Sequence, residues 1–301
     1  MKTRETAFSL SDMLPVTLYV PFYNASRTIE KVIKGILELE PKPERVILIN
    51  DGSKEELPFR NDKYPIEIIR HPVNQGLARA RNTALNNCLS EYIASLDSDV
   101  IPEKNWLGIL FSKIDKSDKI AGSGGYLKEV NLESMADRWR AKHRMQHWGN
   151  CEILNPGFLA GANTLFKTSV LKKIGGYNEE LRTNSEDVDI SRRIMKEGFD
   201  LIYTPDAEAL HLRKDNIISI LRMDFAWSLL SYKEDGKYRS IKDLLRLNYL
   251  KTRHLMHLDY IDKDYSFLII DIILGIYTFY KDIGVYSSNS DNSESAGYSV
   301  R

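Results

Sequence analysis

The sequence has few cysteines and no long apolar segment, and each absence excludes a class of protein. Its two cysteines, Cys88 and Cys151, are too few and too scattered for a disulfide framework or a zinc site, so we expect reduced thiols. Residues 1–14 contain no apolar core of a signal peptide, which predicts a cytoplasmic protein. The apolar segment 267–280 contains Asp271 and is shorter than the roughly 20 residues of a membrane span, so we expect a packed or membrane-surface helix.

The chain also lacks an excess of charge of either sign, since 42 Lys and Arg residues balance 42 Asp and Glu residues. A neutral chain has no general attraction to nucleic acid, so we expect no nucleic-acid partner. Charge asymmetry is local, because residues 211–260 hold ten Lys or Arg against six Asp or Glu. With 301 residues, 43% of them hydrophobic, the chain is long enough for a large α/β domain with an appendage.

Strand and helix patterns alternate over about the first hundred residues. Short β-branched runs predict strands at 16–20, 46–49, 66–69 and 92–96. Apolar residues at helical spacing predict helices between them, at 25–40 and 77–89. Because strands that alternate with helices form parallel sheets, the sequence predicts an α/β fold with a mostly parallel central sheet flanked by helices.

The pattern changes along the second half of the chain. The alternation weakens beyond Ile101, and from His211 onward the spacing of apolar residues is helical. We therefore assign residues 14–211 to an α/β domain and residues 212–286 to a C-terminal helical region. Residues 287–301 are rich in Ser, Asn and Gly, which predicts a disordered tail.

Polar residues follow three of the predicted strands at the point where each strand ends. They are Pro-Phe-Tyr-Asn at 21–24, Asn-Asp-Gly-Ser at 50–53 and Asp-Ser-Asp at 97–99. Because parallel sheets bind ligands at the carboxyl ends of their strands, we expect these segments to converge on one edge. Asp97 and Asp99 could share a hard divalent cation such as Mn²⁺ or Mg²⁺ with a diphosphate, although an isolated Asp-x-Asp is more often a solvated turn.

Two further polar segments open predicted helices. Gly76 precedes a helix that carries Arg79 and Arg81, and both helix N-termini and arginines favour phosphate, although such arginines can also form a solvated face. Glu186 and Asp187 begin another helix. Acids at this position can simply complement the helix dipole, or one of them can act as a general base.

Together these segments occur in the order and approximate spacing of the family-two glycosyltransferases, which the chain resembles from about Leu14 to His211. The resemblance implies the nucleotide-diphospho-sugar transferase fold, also called the A-type glycosyltransferase fold, for a catalytic domain at 14–211. It implies inverting transfer of a sugar from a nucleotide diphosphate donor, a UDP-sugar first of all, to an acceptor hydroxyl in glycan or glycoconjugate synthesis.

The resemblance also implies roles for residues on the donor side of the site. Pro21 and Tyr23 would flank the base, Asp51 would bond it, and Arg81 would lie near the pyrophosphate. Asp97 would face the ribose or the donor sugar. One departure is the Asn at position 50, where the family often has a second Asp, but the base contact is usually assigned to the acid that follows.

On the metal and acceptor side, the resemblance assigns Asp99, together with Asp97, to a divalent metal ion. His211 is the leading candidate for a further metal ligand, although a single His is more often an ordinary hydrogen-bonded side chain. Asp187 matches the catalytic base, which removes the proton from the acceptor hydroxyl, and Glu186 is its companion.

Other functions compete with this one. The processive branch of the family carries a Gln-x-x-Arg-Trp motif after the base, whereas Arg138-Trp139 precedes Asp187 and lacks the Gln, so the sequence favours single transfer. A nucleotidyltransferase would need a Gly-rich, lysine-containing loop after the first strand, and residues 21–24 contain neither residue type. A non-catalytic sugar-nucleotide-binding scaffold is the third alternative.

The C-terminal helical region suggests partners beyond the sugar nucleotide. Its basic excess and the apolar segment 267–280 could dock on an anionic membrane, which would suit a lipid-linked acceptor. The same region could instead form a homodimer interface or a lid. The acceptor could be a glycan, a lipid-linked glycan or a protein.

Overall fold

A computed structural model of the chain describes residues 13–55, 66–181, 184–234 and 240–296, and the side chains of these ranges except 228–234 and 288–296. The chain divides into two compact units. The first, the α/β unit, contains the residues up to Val130 and Gln146–Arg213, and the second, the helical unit, contains Asn131–Met145 and the residues from Lys214 onward. Residues 131–145, which the sequence places in the α/β domain, therefore belong to the helical unit.

The α/β unit begins with the alternation that the sequence predicts. Its elements are β1 (Met13–Phe22), α1 (Ile29–Leu37), β2 (Lys42–Asn50), β3 (Ile66–Arg70), α2 (Leu77–Asn86) and β4 (Tyr92–Leu96). The four strands lie side by side in the order β3-β2-β1-β4, and each neighbouring pair is parallel. The carboxyl ends of β1, β2 and β4 therefore share one edge.

The second half of the sheet departs from the parallel arrangement. It contains β5 (Val100–Pro102), α3 (Trp106–Ile114), β6 (Ile120–Glu129), β7 (Ile153–Leu154), β8 (Asn163–Lys167), α5 (Thr168–Lys173), α6 (Glu186–Lys196) and β9 (Asp200–His211). The order continues β4-β8-β6-β9-β5, and only β6 and β9 are parallel in this half as described. The fold class is confirmed, but the sheet is mixed rather than mostly parallel, because β8 is not the end of a strand-helix-strand crossover from β4 and runs antiparallel to it.

Two apolar layers cover the faces of the sheet. Along β1, Leu18 and Val20 pack in the layer with α1 and α3, whereas Tyr19 between them packs in the layer with α2 and α6. This alternation follows from the two-residue period of a strand. Because both faces are covered, β1 is apolar at successive positions, which explains why the sequence shows an unbroken apolar run there.

The helical unit contains α4 (Met135–His143), α7 (Ile217–Glu234), α8 (Ile241–Ile261), a 3₁₀ turn (Tyr265–Phe267) and α9 (Leu268–Ala296). Its core includes Trp139, Leu255 and Ile270. The helix α9 continues into the segment for which the sequence predicts a disordered tail, and residues 297–301 lie outside the described residues. Among the helices described, none has the length and apolar character required to span a membrane.

Candidate active site

The three polar segments that follow strands line one cleft of about 300 Å³ at the carboxyl edge of the sheet. Pro21 and Tyr23 come from the end of β1, Asp51 from the end of β2, and Asp97 and Asp99 from the end of β4. Tyr23 is 48% exposed and lines the cleft. The expected convergence of these segments is thus observed.

Asp51 is buried at this edge, and its carboxylate organises the neighbouring loop. It accepts hydrogen bonds from the backbone N–H groups of Gln75 and Gly76, each at 2.9 Å, and its Oδ1 lies 2.7 Å from Nδ1 of His71. Asn50, the departure from the family pattern, accepts a hydrogen bond from the backbone N–H of Ser53 at 2.8 Å and closes the turn. Asp51 lines the cleft as the sequence predicts, but most of its acceptor capacity is used by the protein.

Arg81, which the resemblance places near the pyrophosphate, is buried, and its guanidinium contacts several protein groups. Its side chain is only 1% exposed. The guanidinium donates to the Ser95 hydroxyl at 2.6 Å, to the Gly161 carbonyl at 2.8 Å and to Asp97 at 3.1 Å. Its Nε also lies 3.3 Å from a carboxylate oxygen of Glu186. Because protein groups occupy the guanidinium, Arg81 positions acids from two segments rather than presenting a free cation to the cleft.

Glu186 and Asp187 lie at the start of α6, next to the same arginine. The preceding residue, Ser185, has a left-handed backbone with φ of 65°, a sparsely populated conformation that turns the chain into the helix. Asp187 accepts hydrogen bonds from the backbone N–H of Gly161 at 3.2 Å and of Val188 at 2.8 Å. Burial raises the pKa of Glu186 to about 7 and also raises the pKa of Asp187.

Asp99 faces His211, which comes from the end of β9. Nε2 of His211 lies 3.6 Å from a carboxylate oxygen of Asp99, and Nδ1 lies 2.9 Å from Glu129. Burial by itself lowers the pKa of His211, but the two carboxylates outweigh it and raise this pKa to about 9. Burial would raise the pKa of Asp99, but its contacts with His211 lower it, whereas burial raises the pKa of Asp97.

Asp99 and His211 are close enough to share a divalent cation, and Asp97 lines the same cleft. Two ligands about 2.2 Å from one ion lie roughly 3 to 4 Å apart, and the separation of 3.6 Å between His211 and Asp99 falls within this range. Glu129 holds Nδ1 of the ring, so Nε2 is the nitrogen that faces Asp99. Both aspartates are about one third exposed, at 32% and 30%, so they can reach a ligand in the cleft.

Sequence reasoning missed Glu129 because it predicts no strand over residues 120–129. In the structure Glu129 ends β6, and it pairs in register with His211 on β9. It also missed His71, whose signal was only its place at the start of a loop between a strand and a helix. A Cβ atom at Gly161 would lie 2.8 Å from the Arg81 guanidinium, so this position excludes a side chain.

Comparison with known proteins confirms the resemblance. Residues 17–175, more than half of the chain, match glycosyl transferase family 2, and the chain therefore belongs to this family. The pre-mycofactocin glycosyltransferase of Mycobacterium tuberculosis is 28% identical over 206 residues, which cover 65% of this chain and 42% of that protein. The chain thus spans less than half the length of this curated relative.

Solved structures share the fold. The crystal structure of GalNAc-T7 with UDP, GalNAc and Mn²⁺ matches with a TM-score of 0.55 at 18% identity, covering 66% of this chain and 44% of that one. The mannosyltransferase PcManGT from Pyrobaculum calidifontis, in complex with GDP-Man and Mn²⁺, matches with a TM-score of 0.54 at 17% identity over 95% of this chain and 81% of that one. At these identities the likeness shows the fold alone.

Proposed function

We propose that the chain is an inverting glycosyltransferase that moves a sugar from a nucleotide diphosphate donor to an acceptor hydroxyl. The observation that carries the proposal is the placement of acids from two segments around one buried arginine. Arg81 contacts Asp97 from the end of β4 and Glu186 from the start of α6, and Asp187 follows directly. Donor binding and proton removal would then use separate carboxyl groups.

The donor would lie along the edge of the sheet where the polar segments 21–24, 50–53 and 97–99 meet. Tyr23 offers an exposed ring for the base, and Pro21 and Asp51 line the cleft beside it. One lone pair of the Asp51 carboxylate remains for an N–H group of the base. UDP is our first choice of nucleotide, and GDP is the alternative because solved neighbours bind either UDP or GDP-Man.

Asp99, Asp97 and His211 would hold a divalent cation, Mn²⁺ or Mg²⁺. When bound, this cation neutralises negative charge on the leaving diphosphate. Glu129 would keep the His211 ring in the orientation that points Nε2 at Asp99. The same chain of contacts would tie the ends of β4, β6 and β9 together.

Asp187 would act as the base for the acceptor. The acceptor oxygen forms a bond to the anomeric carbon, the bond from that carbon to the diphosphate oxygen breaks, and the hydroxyl proton passes to the Asp187 carboxylate. Attack from the face opposite the diphosphate inverts the anomeric configuration. A raised pKa brings Asp187 closer to the working pH of a general base.

Replacing the base tests this assignment. Asp187→Asn should keep the N–H contact with Gly161 and bind the sugar nucleotide as the parent does, because the amide oxygen is still an acceptor. Transfer should fall by about 10² to 10⁴. The matched control is Asp189→Asn on the same helix, since Asp189 pairs only with Arg193 four residues on among its described contacts. Transfer by Asp187→Asn at the parent rate would show that Asp187 is not the base.

The alternatives differ in their products. Glycosyl transfer releases a nucleoside diphosphate, whereas a nucleotidyltransferase releases pyrophosphate, and a non-catalytic scaffold releases neither. The segment 21–24 has no glycine or lysine for a nucleotidyltransferase loop, and no Gln-x-x-Arg-Trp motif follows Asp187. We therefore favour single transfer, in the cytoplasm, onto a glycan, a lipid-linked glycan or a protein.

We further propose that the helical unit docks on an anionic membrane. Exposed basic and aromatic residues share one face of α8, since Lys242, Arg246, Tyr249, Arg253 and Tyr260 recur at spacings of three, four and seven. On α9, Ile269, Ile276 and Tyr280 are more than half exposed. Such a combination suits lipid headgroups, and a homodimer through the same face is the alternative outcome.

A further inference from the structure

The helical unit contains three ligand-type side chains that meet at its centre. They are His143 from the end of α4, Asp259 from α8 and Asp271 from α9. One ligand atom from each lies within 4.8 Å of the others. Both aspartates have no exposed surface, and the His143 side chain is only 3% exposed. The cluster lies in the helical unit and shares no residue with the cleft of the α/β unit.

The two aspartates have acceptor atoms that lack donors. Among the described residues, Oδ2 of Asp259 and Oδ2 of Asp271 accept no hydrogen bond although both atoms are buried. Nζ of Lys142 lies 2.9 Å from a carboxylate oxygen of Asp259. The same ammonium group also pairs with Asp262 at 2.8 Å and with Asp264 at 2.7 Å. A buried carboxylate without full compensation is costly, so either a bound cation or a proton shared by the two aspartates must offset this charge.

The remaining contacts orient these groups as ligands. Nε2 of His143 lies 2.8 Å from Oδ1 of Asp259, a hydrogen-bond distance, whereas two ligands about 2.1 Å from one tetrahedral ion lie roughly 3.4 Å apart, so an ion would displace this bond by about half an ångström. The indole N–H of Trp139 donates to Oδ1 of Asp271 at 2.9 Å. This contact fixes the carboxylate and leaves Oδ2 for another partner, as an outer-shell donor does at metal sites.

We propose that the helical unit binds one divalent transition-metal ion, Zn²⁺ in the first place, through His143, Asp259 and Asp271. One imidazole nitrogen with two carboxylate oxygens is a donor set that Zn²⁺ accepts. The ion would connect three helices that are far apart in sequence, so its role would be structural. The proposal does not depend on the proposed sugar transfer.

Metal uptake by the whole chain tests the proposal. The Asp99→Ala variant serves as the parent, because it disables the metal site proposed for the cleft. After chelator treatment, incubation with excess Zn²⁺ and desalting, we expect this protein to hold one Zn²⁺ per chain by elemental analysis. Relative to the chelator-treated protein, its thermal unfolding midpoint should rise by about 5 °C or more at a hundredfold excess of Zn²⁺ over the dissociation constant.

A second substitution locates the ion. Asp271→Asn in the same background keeps an acceptor for Trp139 and the side-chain size but removes a charged ligand, so Zn²⁺ uptake and the thermal shift should disappear. Asp262→Asn is the matched control: Asp262 is 52% exposed, touches Lys142 and is not a ligand, so uptake should persist.

Two results would overturn the proposal. One is an Asp99→Ala protein that retains no Zn²⁺ and shows no thermal shift, a measurement that does not require the Asp271 variant to fold. In that case the two aspartates share a proton. The other is undiminished uptake by a folded Asp271→Asn protein.

Discussion

At the scale of single residues, the acids beside the cleft differ in what surrounds them. Asp99 faces an imidazole, Asp97 and Glu186 face one guanidinium, and Asp187 faces backbone N–H groups. Burial would raise the pKa of Asp99, but its contacts with His211 lower it. For Asp97, Glu186 and Asp187, burial raises the pKa. Environments that separate the pKa values of neighbouring acids are typical of sites where one acid binds charge and another moves protons.

Glu129 provides a test of the proposed metal site through a residue that would not touch the ion. Glu129→Gln should weaken the hold on Nδ1 of His211 and raise the Mn²⁺ concentration needed for half-maximal activity by about 10- to 100-fold. The turnover at saturating Mn²⁺ should change little. Glu208→Gln is the control, because Glu208 forms a partly exposed pair with Lys128. An unchanged Mn²⁺ requirement in Glu129→Gln would contradict the orienting role.

Glu186 should leave the acid limb of the pH–rate profile in place, although it precedes the base. A base works only when deprotonated, so activity should rise with pH through the pKa of Asp187. Burial raises the pKa of Glu186 to about 7, and the negative charge of Asp187 adds to this rise, so Glu186 stays protonated while Asp187 ionises. Glu186→Gln resembles the protonated acid and should therefore keep the limb at the pH of the parent, as should Glu197→Gln at the exposed end of α6. A shift of the limb to lower pH in Glu186→Gln alone would show that Glu186 is charged while Asp187 ionises.

At the scale of elements, sequence periodicity predicts the first six strands and helices because each has a clean apolar pattern. The run in β1 and the helical spacing of Ile29, Val32, Ile33 and Ile36 in α1 are both core positions in the structure. The same approach fails for β6, where Gly122, Gly124 and Gly125 interrupt the pattern. These glycines face the Phe166 and Leu159 side chains and the Ala207 carbonyl. Tertiary packing, rather than local β-propensity, therefore makes this segment a strand.

The exposed face of α8 allows a test of membrane docking. Arg246→Glu with Arg253→Glu should abolish flotation of the protein with vesicles that contain anionic lipid, since each basic residue contributes about 1 kcal/mol near such a surface. Vesicles of neutral lipid should bind neither protein well. Exposed Lys31 on α1 gives the control Lys31→Glu, which lies in the α/β unit. If the double variant floats with anionic vesicles as well as the parent does, the proposed membrane face is wrong. If the parent forms a concentration-dependent dimer that the double variant does not form, the homodimer is favoured instead.

At the scale of the whole molecule, the sequence predicts the family, the fold class and a boundary near residue 211, because the motifs follow strand ends in a fixed order. It does not predict that residues 131–145 join the C-terminal helices. The reason is that α4 is held by long-range contacts, such as the hydrogen bond from Trp139 to Asp271 and the ion pair of Arg144 with Asp224. The sequence places Arg81 near the cleft, but it cannot show that other protein groups surround the guanidinium.

The central claim is that the acids at the carboxyl edge of the sheet carry out metal-dependent sugar transfer with inversion. The most direct measurement is proton NMR of the sugar released from UDP- and GDP-sugars with Mn²⁺, taken before the anomers equilibrate. We predict that the parent releases the inverted anomer from at least one donor and that Asp99→Ala releases none above background. Release of the retained anomer, or equal release by Asp99→Ala, would contradict the account.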